Sequence, residues 1–120
     1  MILVDSSVWI DHFQSGNARL SALLQDHQVL MHPFVAGELA CGVLPGHRAQ
    51  VLAGLGELPQ APVAANAEVM ELIERRSLSG TGVGWVDAHL LASALIGSVP
   101  LWSLDAALRR VARRLRVAFF

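Results

Sequence analysis

The chain opens on an unbroken apolar run, MILV at residues 1–4, with none of the alternation of a half-exposed strand. Such a run suits a central strand of a parallel sheet, covered on both faces. Asp5-Ser6-Ser7 follows, good capping chemistry for a helix that runs to about Gln14, where Gly16-Asn17 breaks it. Residues 18–26 read as a second helix with Leu20, Leu23 and Leu24 on one face, and QVLM at 28–31 reads as a second short strand. Pro33 fits the first turn of a helix continuing through FVAGELACGVL, and Pro45-Gly46 makes a turn. The next helix, over 47–58, stops at Pro59, and 60–63 is a brief strand or an extended loop. Over 66–78 a helix places Val69, Leu72 and Ile73 inward and Glu68, Glu71 and Glu74 outward. Glycines at 80, 82 and 84 make a loop, an apolar helix spans 85–97, and VPLWS at 99–103 is a strand weakened by Pro100. A basic helix over 105–115 and an edge strand at 117–120 complete the chain. Strands alternating with helices predict an α/β fold, a central parallel sheet flanked by helices on both faces.

The length, 120 residues, fits one domain over 1–120, and no repeat, low-complexity tract or linker divides it. The hydrophobic fraction of 53% predicts a real core and leaves a surplus of apolar surface suited to a partner. The net charge of -1 sets up no global basic field, and every basic residue is Arg. The absence of Lys matters because several enzyme classes require one. The single cysteine, Cys41, allows no internal disulfide, which suits a reducing, cytoplasmic setting. MILVD has an early acid and no basic leader, so no signal peptide is expected there. Residues 88–104 lack charged side chains, but Gly97, Pro100 and several Ser break the run, which falls short of the ~20 apolar residues of a membrane span.

Against this pattern, four of the ten acids stand in unusual places. Asp5 ends the strand MILV, and Asp105 directly follows VPLWSL. Glu38 is the one charge in PFVAGELACGVLPG, and Asp87 the one charge between Thr81 and Leu104. A carboxylate near a core costs several kcal/mol unless it is paired, hydrogen-bonded or on a metal. With no Lys available, a shared divalent cation is the economical explanation. Asp5 and Asp105 sit just past predicted strand ends, where ligands bind in open parallel sheets. Hard oxygen donors favour Mg²⁺ or Mn²⁺ over zinc, and such sites hydrolyse phosphodiesters. Each acid also has a plain structural explanation. Asp5 and Asp105 suit helix caps, Glu38 could face solvent, and Asp87 lies near a helix N-terminus where a carboxylate is favourable anyway. Asp11, in VWIDHF, is read as solvent-facing and left out of the set.

These residues resemble a known family. VDSSVWID, GELACG, GWVDAHLLASAL and LWSLDAAL are similar, in order and over nearly the whole chain, to the four acidic motifs of PIN-domain toxins of the VapC group. The resemblance implies a Mg²⁺- or Mn²⁺-dependent endoribonuclease, the toxin of a toxin–antitoxin pair, with Asp5, Glu38, Asp87 and Asp105 as catalytic residues and metal ligands. It implies that Ser6, Ser7 and Ser103 support those carboxylates through hydroxyl hydrogen bonds. It also implies a VapB-type antitoxin, an RNA substrate and a homodimer.

The last helix carries RRVARRLR, which brings Arg109 onto one face with Arg113 and Arg110 with Arg114. Arg109 and Arg113 are candidates for RNA phosphates, the alternative being a solvated outer face at a helix C-terminus. The three Trp are expected in packing, and the five His show no ligand spacing. A phospho-receiver domain and a haloacid-dehalogenase phosphatase both need a Lys, and the latter an Asp-x-Asp where Ser7 stands. A non-catalytic binding module on the PIN scaffold is the remaining alternative, disfavoured by retention of all four acids.

Overall fold

Three short strands pair in parallel in the order β2-β1-β3. β1 (Ile2–Val4) is central, with β2 (Val29–Leu30) and β3 (Leu101–Trp102) at its sides. The computed structural model describes residues 1–119. Leu3 and Val4 are fully buried, as the apolar run requires of a strand covered on both faces. Single parallel bridges widen the sheet at its margins, Met31 to Gln60 and Leu101 to Ala118. The expected edge strand at 117–120 is thus reduced to one bridge, and its Phe120 lies outside the described residues. Of the expected 60–63 element, only Gln60 pairs.

Seven helices surround the sheet among the described residues: α1 (Ser6–Ser15), α2 (Ala18–Gln25), α3 (Pro33–Cys41), α4 (Arg48–Glu57), α5 (Asn66–Arg75), α6 (Trp85–Gly97) and α7 (Ala106–Arg114). α6 is the most deeply packed, with every residue from Ala88 to Ala94 buried. That explains its nearly charge-free sequence. α3 stops at Cys41, short of the expected Leu44. Gly42 interrupts it, and the Arg48 side chain donates to the carbonyls of Ala40 and Gly42, closing the helix end. Pro100 shortens β3, since it has no N–H for the ladder, although its carbonyl accepts from Leu3 N at 2.9 Å. Among the described residues no helix is long and apolar enough to cross a membrane.

Register then decides what meets at the sheet's C-terminal edge. Val4 lies opposite Trp102, and Asp5 N donates to Trp102 O at 2.9 Å. The next residues along these two parallel strands, Asp5 and Ser103, therefore leave the sheet side by side.

Candidate active site

Asp5 is the anchor of that edge and is 4% exposed. A buried carboxylate needs donors, and it has them. Its Oδ1 accepts from Ser6 N at 2.8 Å, and its Oδ2 accepts from Ser7 Oγ and Ser103 Oγ, each at 2.7 Å. The two hydroxyls lie 3.3 Å apart and are themselves fixed. Ser7 Oγ accepts from Leu104 N and Ser103 Oγ from Asp105 N, both at 2.9 Å. Two strand ends and the starts of α1 and α7 are thereby tied to one carboxylate.

The other three acids stand around it. Asp105 caps α7, its Oδ2 accepting from Leu108 N at 2.9 Å. Asp87, in the first turn of α6, accepts from Gly84 N at 3.1 Å through Oδ2. Glu38, on α3, accepts from Ser6 Oγ at 3.2 Å through Oε1, and the same hydroxyl leans on Asp5 Oδ1 at 3.4 Å. Three helix N-termini, of α1, α6 and α7, thus meet the acids, and their dipoles favour negative charge there. The capping explanations for Asp5, Asp87 and Asp105 hold. They do not exhaust the residues, because among the described residues Asp87, Asp105 and Glu38 each keep one carboxylate oxygen outside any hydrogen bond.

Electrostatics couples the four. Desolvation by the surrounding protein raises the Glu38 pKa above the ordinary carboxylate value, Ser6 opposes that, and the charges of Asp5 and Asp87 raise it further. Asp87 is raised for the same main reason, desolvation, offset by the Gly84 bond and reinforced by Asp5 and Asp105. The acids do not already form a closed cage. Among the described residues no three His, Cys, Asp or Glu side chains are grouped to hold a metal ion. What fits a hard divalent cation is the donor set: uncommitted carboxylate oxygens whose mutual repulsion a cation would relieve.

Burial is distributed differently from the expectation drawn from sequence context. Asp5, which also caps α1, is the buried acid, whereas Glu38 and Asp105 are exposed and Asp87 is half-buried. Ser6, Ser7 and Ser103 all bond the carboxylates. Asp11 is half-buried and accepts from Asn17 Nδ2 at 3.0 Å, a local bond outside the cluster. On α7, Arg110 and Arg114 donate to carbonyls of Thr81 and Arg76 and so hold the 76–82 loop, while Arg109 lines a cavity near Ser103. Arg113 is exposed and lies one turn beyond Arg109.

Sequence spacing gave no sign of one further feature, a cluster of edge-on rings between α3 and α6. His32 and His89 are buried with centroids 6.4 Å apart, and Phe34 and Trp85 each pack edge-on to His89 at 4.6 Å. His32 Nδ1 accepts from Phe34 N at 3.0 Å, capping α3. Burial, helped by His89, lowers the His32 pKa to about 4, and burial lowers that of His89 as well. Both rings are thus held neutral at neutral pH. They join the helices that carry Glu38 and Asp87. The pairing links residues 57 positions apart on different elements, so no local spacing could reveal it.

Comparison with known proteins agrees with this fold. Residues 2–114 match the family model described as PIN domain. Ribonuclease VapC32 of Mycobacterium tuberculosis, from strains CDC 1551 / Oshkosh and ATCC 25618 / H37Rv, is 48% identical over 110 residues, covering 91% of this chain and 88% of the relative. The crystal structure of FitAcB from Neisseria gonorrhoeae superposes with a TM-score of 0.68 at 22% identity, covering 100% of this chain and 96% of that one. The structure of FitAB bound to the IR36 DNA fragment gives 0.67 at 20%, with 100% and 94% covered. At such identities these two structures speak to the fold alone.

Proposed function

This chain belongs to the PIN-domain family, in its VapC-type branch, and from that membership we propose that it is the toxin of a toxin–antitoxin pair, a Mg²⁺- or Mn²⁺-dependent endoribonuclease. The observation that carries the reading is the junction at the sheet edge. There Asp5 is clamped by Ser7 and Ser103, and Glu38, Asp87 and Asp105 stand within electrostatic reach of it or of each other. The ribonuclease named among its relatives at 48% identity supports the same activity for this chain.

This reading gives each side chain a role. Asp5, Glu38, Asp87 and Asp105 would hold the cation, Asp5 as the rigid member and the others through their uncommitted oxygens. A divalent cation there supplies charge neutralisation at the scissile phosphate and a lowered pKa for the attacking water. Ser7 and Ser103 hold the Asp5 carboxylate in one orientation. Ser6 ties Glu38 to the same point, so α3 cannot drift from α1 without breaking a hydrogen bond.

A VapB-type antitoxin partner belongs to the same reading. Ile10, Phe13, Leu39, Val43 and Leu44 line an apolar cavity of about 300 Å³ with Glu38 at its rim, and Val43 is 99% exposed. A partner seated there would cover both apolar surface and an active-site acid. The homodimer has apolar surface elsewhere to draw on, at Met70 on α5 and Ile96 on α6. The setting is the cytoplasm, where RNA is available. The test is antitoxin-free protein incubated with total RNA and Mg²⁺ or Mn²⁺. Discrete cleavage abolished by EDTA and by Asp5→Asn is expected, and cleavage that survives Asp5→Asn would place the activity elsewhere.

A further inference from the structure

We propose that an open cavity beside the acids binds the RNA nucleotide next to the one that is cut, with Arg19 as the phosphate-holding residue. This rests on the ribonuclease reading and adds a substrate subsite to it. The cavity measures about 520 Å³, within the ~300–1,000 Å³ of ordinary ligand sites. It is lined by Asn17, Arg19, Trp102, Ser103, Leu104 and Arg109.

Its position is the first argument. Ser103 is both a wall of the cavity and the donor to Asp5 Oδ2 at 2.7 Å. The cavity therefore starts one hydrogen bond from the anchor carboxylate, and a strand whose phosphate sits at the acids must send a neighbouring nucleotide past this wall or away from it.

Charge is the second. Four carboxylates with one divalent cation still leave net negative charge facing an RNA backbone, so a further cation close by favours binding. Two guanidinium groups line the cavity, and no acid does. Other arginines are committed elsewhere: Arg48 to the end of α3, Arg75 to Glu71, Arg110 and Arg114 to loop carbonyls. Arg19 is exposed, and no described residue pairs with it. Its place on α2 is firm, because Asn17 caps that helix through Leu20 N at 3.0 Å and is itself tied to Asp11.

The cavity also has an apolar wall. Leu104 is 45% exposed although its backbone N–H is pinned by Ser7 Oγ. A fixed, exposed leucine next to a cation suits the sugar and base face of a nucleotide better than it suits water.

The experiment uses fluorescence anisotropy with a labelled oligouridylate of about ten nucleotides, inside the ~4–16-nucleotide footprints of small single-strand binding folds. The full chain carries Asp5→Asn so that the probe survives. Adding Arg19→Ala should weaken binding about fivefold at low salt and flatten the plot of log affinity against log salt by about 0.7, the release of one phosphate contact. Arg19→Lys should restore the slope, and Arg75→Ala, remote on α5, should leave it unchanged. If wild-type protein cuts RNA and Arg19→Ala leaves affinity and slope as they were, or if lysine fails to restore the slope, the subsite is refuted while the ribonuclease reading stands. If wild-type protein cuts no RNA, the ribonuclease reading itself fails.

Discussion

Removing the Ser103 hydroxyl is the sharpest perturbation of the proposed site that touches none of its acids. Ser103 is buried, donates to Asp5 Oδ2 at 2.7 Å and accepts from Asp105 N at 2.9 Å. In Ser103→Ala the carboxylate loses a charge-assisted bond of about 1.5–3 kcal/mol, and the Asp105 N–H loses an acceptor of about 0.5–1.5 kcal/mol. Asp5 keeps Ser6 N and Ser7 Oγ, so the net loss should be about 2–3 kcal/mol. For a chain of this size about 4 °C of Tm accompanies each kcal/mol, so a drop of about 10 °C is expected. Thermal melting in EDTA measures it. Cleavage in Mn²⁺ should fall about 10–100-fold, because the anchor ligand can now rotate. Ser7→Ala should act similarly. The double variant should lose less than the two singles added, because the hydroxyls are 3.3 Å apart on one oxygen. Ser6→Ala, whose hydroxyl makes only the longer bonds at 3.2 and 3.4 Å, should cost under about 1 kcal/mol. A Tm within about 2 °C of wild type for Ser103→Ala would refute the claim that this clamp holds the site.

Two further outcomes follow from the charge environment. Asp87→Asn keeps an acceptor for Gly84 N but removes a desolvated, repelled charge, so in EDTA the variant should melt above wild type while cleavage falls at least about 100-fold. A variant less stable in EDTA at neutral pH would contradict the electrostatic reading. His32 has a folded pKa of about 4 against an ordinary 6.5, so the unfolded chain binds its proton first, and its contribution to stability is lost as pH falls from about 6.5 to about 4. That window corresponds to about 3 kcal/mol, and it should be missing from the pH profile of His32→Asn, which keeps a cap acceptor without a titrating ring. Denaturant melts across the window check it, and parallel profiles for the two proteins would show that His32 is not held neutral.

How much of this was legible in the sequence varied with the range of the interaction responsible. α6 runs over the 85–97 segment its apolar pattern marks out, and β1 sits inside MILV, because burial on all sides leaves a local signature. Helix ends were harder. α3 ends at Gly42 through the Arg48 side chain, a contact from the next helix. The sheet margins shrink to single bridges at Gln60 and Ala118, which depend on neighbours no local pattern describes. The four acids were conspicuous by context, yet context could not rank their burial. The register of Val4 on Trp102 makes Asp5 the enclosed one. His32, His89 and Arg19 carried no signal, since each matters only through residues far away in sequence. The capping explanations and the site explanation also turned out to be compatible: the same carboxylate can serve a helix with one oxygen and offer the other.

The claim at the centre is that four carboxylates share one divalent cation, and a calorimetric Mn²⁺ titration of antitoxin-free protein at neutral pH reaches it most directly. Wild type should bind Mn²⁺ with measurable heat, and Asp5→Asn, Glu38→Gln, Asp87→Asn and Asp105→Asn should each weaken that binding about tenfold or more. Binding equal to wild type in all four variants, or no binding by wild type at millimolar Mn²⁺, would contradict it.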